Sequence, residues 1–305
     1  MDVEENERPP TTRLSRRQFA GFAAGAIAAS TGAANAAFAS AYTAFGPPKD
    51  VTIVGYSDDA MEPFLTRDGR LLLFNNRNQA PVNTNLFWAE RINNLTFKFR
   101  GEIAGVNTDA LEAVASVDSS GMLYFVSTRS YARTYSTLYR APFKNGSTSA
   151  PTLVPGVSRA TPGWVNFDAE ISADGASLYF VDSYFGSAGA PQSASIMLAQ
   201  RSGETFVRAS GASLAAVNMT GLNYAPCTTA SELELFFTNV AEIGTGAVPA
   251  IYRSARANTS EAFSPPQRIS SIQGFTEAPT VTPDDNGLYY HALVNGRYVI
   301  RLVQR

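Results

Sequence analysis

The sequence predicts an all-β fold, a five-bladed β-propeller of four-stranded antiparallel blades. Three observations lead there. One pattern recurs five times between residues 40 and 305, its turns stand at blade-length spacing, and its strand segments are rich in aromatic and branched apolar residues. Each copy has a polar or acidic start, a turn, an apolar strand ending in aromatic rings, a loop and a further strand.

Copy one runs from Glu62-Pro63-Phe64 through Asp68-Gly69 into Leu71-Leu72-Leu73-Phe74, then Leu86 to Arg91. Copy two turns at Asp118 to Gly121 into Met122-Leu123-Tyr124-Phe125, with Leu138 to Ala141 after it. Copy three turns at Asp174-Gly175 into Leu178-Tyr179-Phe180, followed by Ile196 to Ala199. Copy four has a degenerate turn at Ser231-Glu232 before Leu235-Phe236-Phe237 and Ile251 to Ser254. Copy five turns at Asp284 to Gly287 into Leu288-Tyr289-Tyr290, then Tyr298 to Ile300. Turn positions 68, 118, 174, 231 and 284 give steps of 50, 56, 57 and 53 residues, too long for a hairpin and right for a blade. Copy five reaches only its third strand by Arg305. The strand-like segment Val51 to Tyr56 is therefore expected to pair near Tyr298 to Leu302 and close the last blade, removing an exposed edge.

Composition narrows the partners. Of 305 residues 45% are hydrophobic and 16% charged, so a packed core is available. Lys plus Arg number 24 against 26 Asp plus Glu, a balance with no surplus of positive charge to neutralise a phosphate backbone, which excludes nucleic acid. A single cysteine, Cys227, cannot form an internal disulfide, and a single histidine, His291, cannot supply a paired-His zinc site. Phosphate-loop and nucleophile-elbow motifs are absent, so nucleotide use and elbow-type serine hydrolysis are disfavoured. No cofactor is called for, although a carboxylate-bound Ca²⁺ stays open.

The start of the chain reads as an address. Ser15-Arg16-Arg17-Gln18-Phe19 precedes an uncharged Ala- and Gly-rich stretch ending in Ala37-Phe38-Ala39, and the whole resembles a twin-arginine export signal. Residues 1–39 are then the signal and 40–305 a single propeller domain. Ser30, Thr31, Gly32 and Asn35 dilute the apolar run below what a stable membrane span needs. The resemblance implies dealings with the twin-arginine machinery, and a periplasmic or secreted product. The repeat itself resembles the Pro-Asp-Gly, WD-like repeat of TolB-like β-propellers, a likeness that speaks to fold far more than to function.

Loop length and residue chemistry point to one face. Strand-one starts and the loops between second and third strands share a side, which collects Glu62, Glu112, Asp168, Tyr224 and Glu277 from the starts, and Asn76, Arg77, Arg129, Tyr131, Tyr184, Asn239 and His291 from strand ends and loops. Glu62, Glu112 and Asp168 each stand six residues before a turn. Two readings stand, as repeat positions holding backbone amides of neighbouring blades, or as acids crowding a channel mouth where repulsion and burial separate acid from base. In spacing, the second resembles the three carboxylates of five-bladed arabinanase- and invertase-type glycosidases. Arg77 and Arg129 could clamp an anion or pair with the acids, and Cys227 fits a small buried core position.

Two functions follow. One is an exported binding or scaffold protein that presents this face to a glycan, a peptide or a periplasmic protein, with Asn76, Arg77, Arg129, Tyr131, Tyr184, Tyr224, Asn239 and Glu277 as contacts. The alternative is a glycan-active hydrolase or lyase using Glu62, Glu112, Asp168 and His291.

Overall fold

The computed structural model describes residues 42–78, 82–186, 190–218, 221–242 and 246–305; the signal assigned to residues 1–39 lies outside them. In chain order come two short strands, β1 Lys49–Asp50 and β2 Thr52–Val54, and then blade one: β3 Met61–Leu65, β4 Leu71–Asn75, β5 Leu86–Asn93 and β6 Thr96–Glu102. Blade two holds β7 Glu112–Val117, β8 Met122–Ser127, a single helical turn α1 Tyr131–Thr134, β9 Leu138–Lys144, and an outer strand broken into β10 Ser147–Thr148 and β11 Thr152–Leu153. Blade three is β12 Trp164–Ile171, β13 Ser177–Tyr184, β14 Ser193–Ser202 and β15 Thr205–Arg208. Blade four is β16 Leu222–Thr228, β17 Glu234–Val240, β18 Ala250–Ala255 and β19 Gln267–Arg268, and blade five adds β20 Thr276–Val281, β21 Gly287–Val294 and β22 Arg297–Gln304. Within the blades every pairing is antiparallel, and the order runs outward from the first strand.

The apolar strands are buried on both faces because each blade packs against two neighbours. Tyr124, Val126 and Leu138 of blade two meet Ile171, Leu178 and Phe180 of blade three, and four further clusters repeat this at every other blade junction. The junction of blades five and one is as complete as the rest, with Tyr289, Ile300 and Leu302 against Leu65, Leu72 and Phe74. The ring is closed.

Its closing strand is not the expected one. Lys49 and Asp50 of β1 pair with Leu302 and Arg301, extended by the Gly46 N–H on the Gln304 carbonyl (2.7 Å) and the Val51 N–H on the Ile300 carbonyl (3.0 Å). Thr52 to Val54 turns away and runs parallel to Thr96–Lys98, a fifth strand on blade one. The chain thus straddles two blades. A short strand serves each, and Ile53 and Phe45 are the buried anchors.

The Asp-Gly turns have a local cause. In copy one Asp68 Oδ1 accepts from the Thr66 hydroxyl (2.6 Å) and the Arg70 N–H (3.0 Å), and Gly69 supplies the positive φ of 69°. Copies three and five repeat this with Ser172 and Asp174, and Thr282 and Asp284. In copy two the acid and the hydroxyl have exchanged places: Asp118 stands where Thr66 does, and its carboxylate takes the Ser120 hydroxyl and N–H. The turn position equivalent to Asp68 is therefore Ser120.

Candidate functional site

Each innermost strand is broken by a β-bulge at one equivalent place, where the register shifts around Glu62, Val114, Asp168, Ala225 and Ala278. All five have φ between 50° and 54°, a region non-glycine residues seldom enter, and β-branched Val114 least readily. Neighbouring blades hold them there. The Glu62 N–H donates to His291 Nδ1 (3.2 Å), Val114 N–H to Asn75 Oδ1 (3.1 Å) and Ala278 N–H to Thr238 Oγ1 (3.1 Å). Asn75, Thr238 and His291 occupy one position, opposite the residue that precedes the bulge. Blade three has Val181 there, and Asp168 Oδ2 itself accepts the Ala225 N–H at 2.9 Å.

This corrects the alignment of acids. The residue six places before Ser120 is Val114, so Glu112 is not equivalent to Glu62 and Asp168; misreading Asp118 as the turn displaced it by two. Glu112 is instead sealed beside blade two, fully buried, its oxygens taking the Thr108 N–H (2.8 Å), the Thr108 and Ser127 hydroxyls (2.9 and 2.6 Å) and Arg129 Nη2 (3.2 Å). Arg129 is held there too, bonded to Ser127 and the Val106 carbonyl and laid over the Tyr139 ring.

The third carboxylate to meet Glu62 and Asp168 is Glu277, one residue before its bulge. Together they line a cavity of about 160 Å³ at the loop face, walled by Leu111, Ala113, Val126, Phe167, Phe185 and Leu222 among others. Deeper, the channel narrows to about 30 Å³ between the five bulges. Beyond that neck Arg67, from the blade-one turn, crosses to blade three and bonds Glu170 Oε1 (2.8 Å) and the Ile171 carbonyl, while Glu170 Oε2 takes the Ser116 hydroxyl (2.9 Å). The channel is a funnel, wide at the loop face and narrow between the bulges.

A chain of hydrogen bonds spans the floor. Because His291 Nδ1 accepts the Glu62 N–H, its proton sits on Nε2, which donates to Glu277 Oε2 at 3.1 Å. Glu277 Oε1 receives the Tyr224 hydroxyl. Burial, with Asp168 and Glu277 nearby, pushes the Glu62 carboxyl well above the usual carboxylate range. Asp168 is pushed up to about 7 by burial, against the lowering pull of the Ala225 N–H, with Glu277 adding to the rise. Burial and the bond to Glu277 raise the Tyr224 phenol well above its ordinary value.

Of the residues named from sequence, Glu62, Arg77, Asp168, Tyr224 and Glu277 line the cavity, and His291 lies directly behind Glu62 and Glu277. Arg77 is at the rim, its Nε on Asp59 Oδ2 (2.6 Å) and its guanidinium over Tyr298. The others lie outside the lining. Asn76 ties its own loop to Asn83 and Asn85, Asn239 bonds Asn223 and the Leu222 carbonyl, and the Tyr131 hydroxyl bridges the Trp164 carbonyl and the Gly163 N–H. Tyr184 packs on Trp164, outside the lining. Sequence reasoning passed over Asn78, whose amide reaches Glu62 Oε1 (3.3 Å), and the aromatic walls. The dipeptides Glu62-Pro63, Ala225-Pro226 and Ala278-Pro279 were the usable signal, since proline in an inner strand marks a bulge. Among the described residues no group of three His, Cys, Asp or Glu side chains is arranged to hold a metal ion, and no helix is long and apolar enough to cross a membrane.

No protein-family model and no curated protein matches the chain. Solved structures resemble it in fold. The catalytic domain of a GH62 α-L-arabinofuranosidase from Coprinopsis cinerea aligns with 86% of this chain and 96% of its own, at TM-score 0.51 and 13% identity. An α-L-arabinofuranosidase from Podospora anserina in complex with cellotriose covers 85% and 94%, at 0.50 and 13%. TolB from Acinetobacter baumannii aligns over 81% of this chain and 55% of its own, at 0.44 and 12%. Identities this low show a shared propeller fold and nothing of activity.

Proposed function

We propose that the protein is an exported binding protein that receives a small ligand, or the end of a larger one, in the funnel of its loop face. The observation that carries this is the funnel itself: three carboxylates from blades one, three and five meet at the floor of an apolar-walled recess on the loop face. A recess with a few convergent polar groups is the default ligand site of a fold. Five strained bulges around its neck, each held by a neighbouring blade where a bond is formed, keep those groups in place without a ligand.

A second function rests on a specific observation, the two raised acids of the floor. Burial and the neighbouring acids hold the Glu62 carboxyl well above the usual carboxylate range and push Asp168 up to about 7, and two raised carboxyls facing one recess are the kind of groups a glycoside hydrolase uses as general acid and base. The arabinofuranosidases of like fold make a glycan the substrate class to try first.

One experiment addresses both. Protein purified from the exported fraction, whose first residue mass spectrometry should place at Ser40, is titrated calorimetrically with oligosaccharides and short peptides, and the mixtures are analysed for hydrolysis products. Ala190 is exposed at the mouth. Ala190→Trp should abolish binding without touching the core; a ligand that binds this variant unchanged sits elsewhere, and the funnel is not the site. Products formed by the native protein and lost in Asp168→Asn would establish the hydrolase, and binding with no product would leave the binding protein.

A further inference from the structure

The floor of the funnel offers acceptors. Glu62 Oε1 takes the Asn78 amide and Asp168 Oδ2 the Ala225 N–H, but Glu62 Oε2 and Asp168 Oδ1 have no donor among the described residues, although Asp168 is only 6% exposed. Neither oxygen is among the buried polar atoms left without a partner, and both residues line the cavity, so a donor that enters it can reach them. The neighbouring wall is aromatic: Phe185, Phe167 and Tyr224 follow one another with ring centroids 6.3 and 6.4 Å apart. Leu111, Val126 and Leu222 make up much of the rest.

Among the described residues, the lining has little compensating positive charge. Its one cationic side chain, Arg77, sits at the rim and is committed to Asp59, to the Gly296 carbonyl (3.0 Å) and to the Tyr298 ring. Arg67 lies beyond the neck and is bound to Glu170. His291 directs its one N–H to Glu277. A recess with free acceptors, net negative charge and aromatic faces matches an organic cation, which supplies donors, charge balance and a partner for the rings.

Resting on the funnel as the ligand site, we propose that it takes an alkylammonium group, from a free amine or a lysine side chain, with the ammonium between Glu62 and Asp168 and its methylene stem along Leu111, Val126, Leu222 and Phe167. A sugar hydroxyl fits less well, because it brings no charge to balance the two carboxylates once they ionise, whereas an ammonium does. The empty funnel balances its charge with protons, since burial and mutual repulsion hold Glu62 and Asp168 up. An arriving ammonium takes over that role, and the carboxylic acids give their protons to solvent. The groups facing this exchange are Glu277, Tyr224 and His291 on the floor and Tyr298 and Arg77 at the rim. Affinity therefore rises with pH through about 7, up to tenfold per unit for each proton released.

The test is calorimetry of the full chain with n-butylammonium and with N-acetyl-lysine methylamide, each against a neutral isostere, n-pentanol and N-acetyl-norleucine methylamide. Titrations at pH 6 and 8, in buffers of different ionisation enthalpy, count the protons released. Expected is binding of the cations only, tighter at pH 8, with proton release, and at least tenfold weaker in Glu62→Gln and Asp168→Asn. Asparagine keeps an oxygen for the Ala225 N–H, so the second variant retains the blade-three bulge. The stronger of the two cations identifies the source. Neutral glycosides binding in competition with Ala190→Trp blockade, while both cations fail, would overturn the cation and spare the funnel. If no ligand of either kind binds, both fall.

Discussion

Glu112 and Asp168 are two buried carboxylates on the inner strands of adjacent blades, and they live in opposite surroundings. Glu112 receives four donors, an arginine among them; Asp168 receives one backbone N–H, faces a cavity and has other acids for neighbours. What a buried acid does is set by how many donors reach it. With all its lone pairs filled it is a brace between loop and blade, and with some left open it is a place for something else to bind.

The largest effect that would break this contrast is the loss of the brace. Glu112→Ala leaves Arg129, the Thr108 N–H and two hydroxyls without their acceptor, and should destabilise the fold by about 3–5 kcal/mol. Urea denaturation measures it, and a loss under about 1 kcal/mol would remove Glu112 from the structural role. Asp168→Asn should instead hold or raise stability at pH 8.

The pH dependence of folding sharpens the same contrast at intermediate size. Asp168 has a folded-state pKa of about 7 and an unfolded value near 3.9. Between these the folded chain keeps a proton that the unfolded chain has lost, so stability falls as pH rises from about 4 to 7. The slope is at most about 1.4 kcal/mol per pH unit for this group. Glu62, raised for the same reason, adds to the decline. Thermal melts from pH 4 to 8 should show it, and Asp168→Asn should flatten it; an unchanged slope in the variant would assign the titration to other groups.

The smallest expected effect separates the two arginines. Arg77 is about a third exposed where it pairs with Asp59, so Arg77→Ala should change stability by no more than about 1 kcal/mol. Arg129→Met, which strips a fully buried carboxylate of its counter-charge, should cost several times more in the same denaturation series. Equal losses would mean that exposure does not distinguish them.

Blade number, strand positions and the face of the long loops could be read from residues alone, because a propeller repeats. Apolar runs such as Leu71 to Phe74 and Leu178 to Phe180 sit in the same environment five times, and a turn such as Asp68-Gly69 is stabilised by atoms within five residues of itself. These are local causes, and they leave local marks in sequence. Which acids meet was decided elsewhere. Glu62, Asp168 and Glu277 lie on blades one, three and five, and whether a side chain faces the channel depends on the bulge beside it. That register is held by His291, Asn75 and Thr238 reaching across from preceding blades. A two-residue slip in copy two, from the exchange of Asp118 and Ser120, sufficed to bring Glu112 forward and hide the wall at Val114. The closing strand was decided the same way: Val51 to Tyr56 and Lys49–Asp50 both have blade edges within reach, and only the packing of Ile53 against blade one and of Phe45 between blades four and five assigns each its partner.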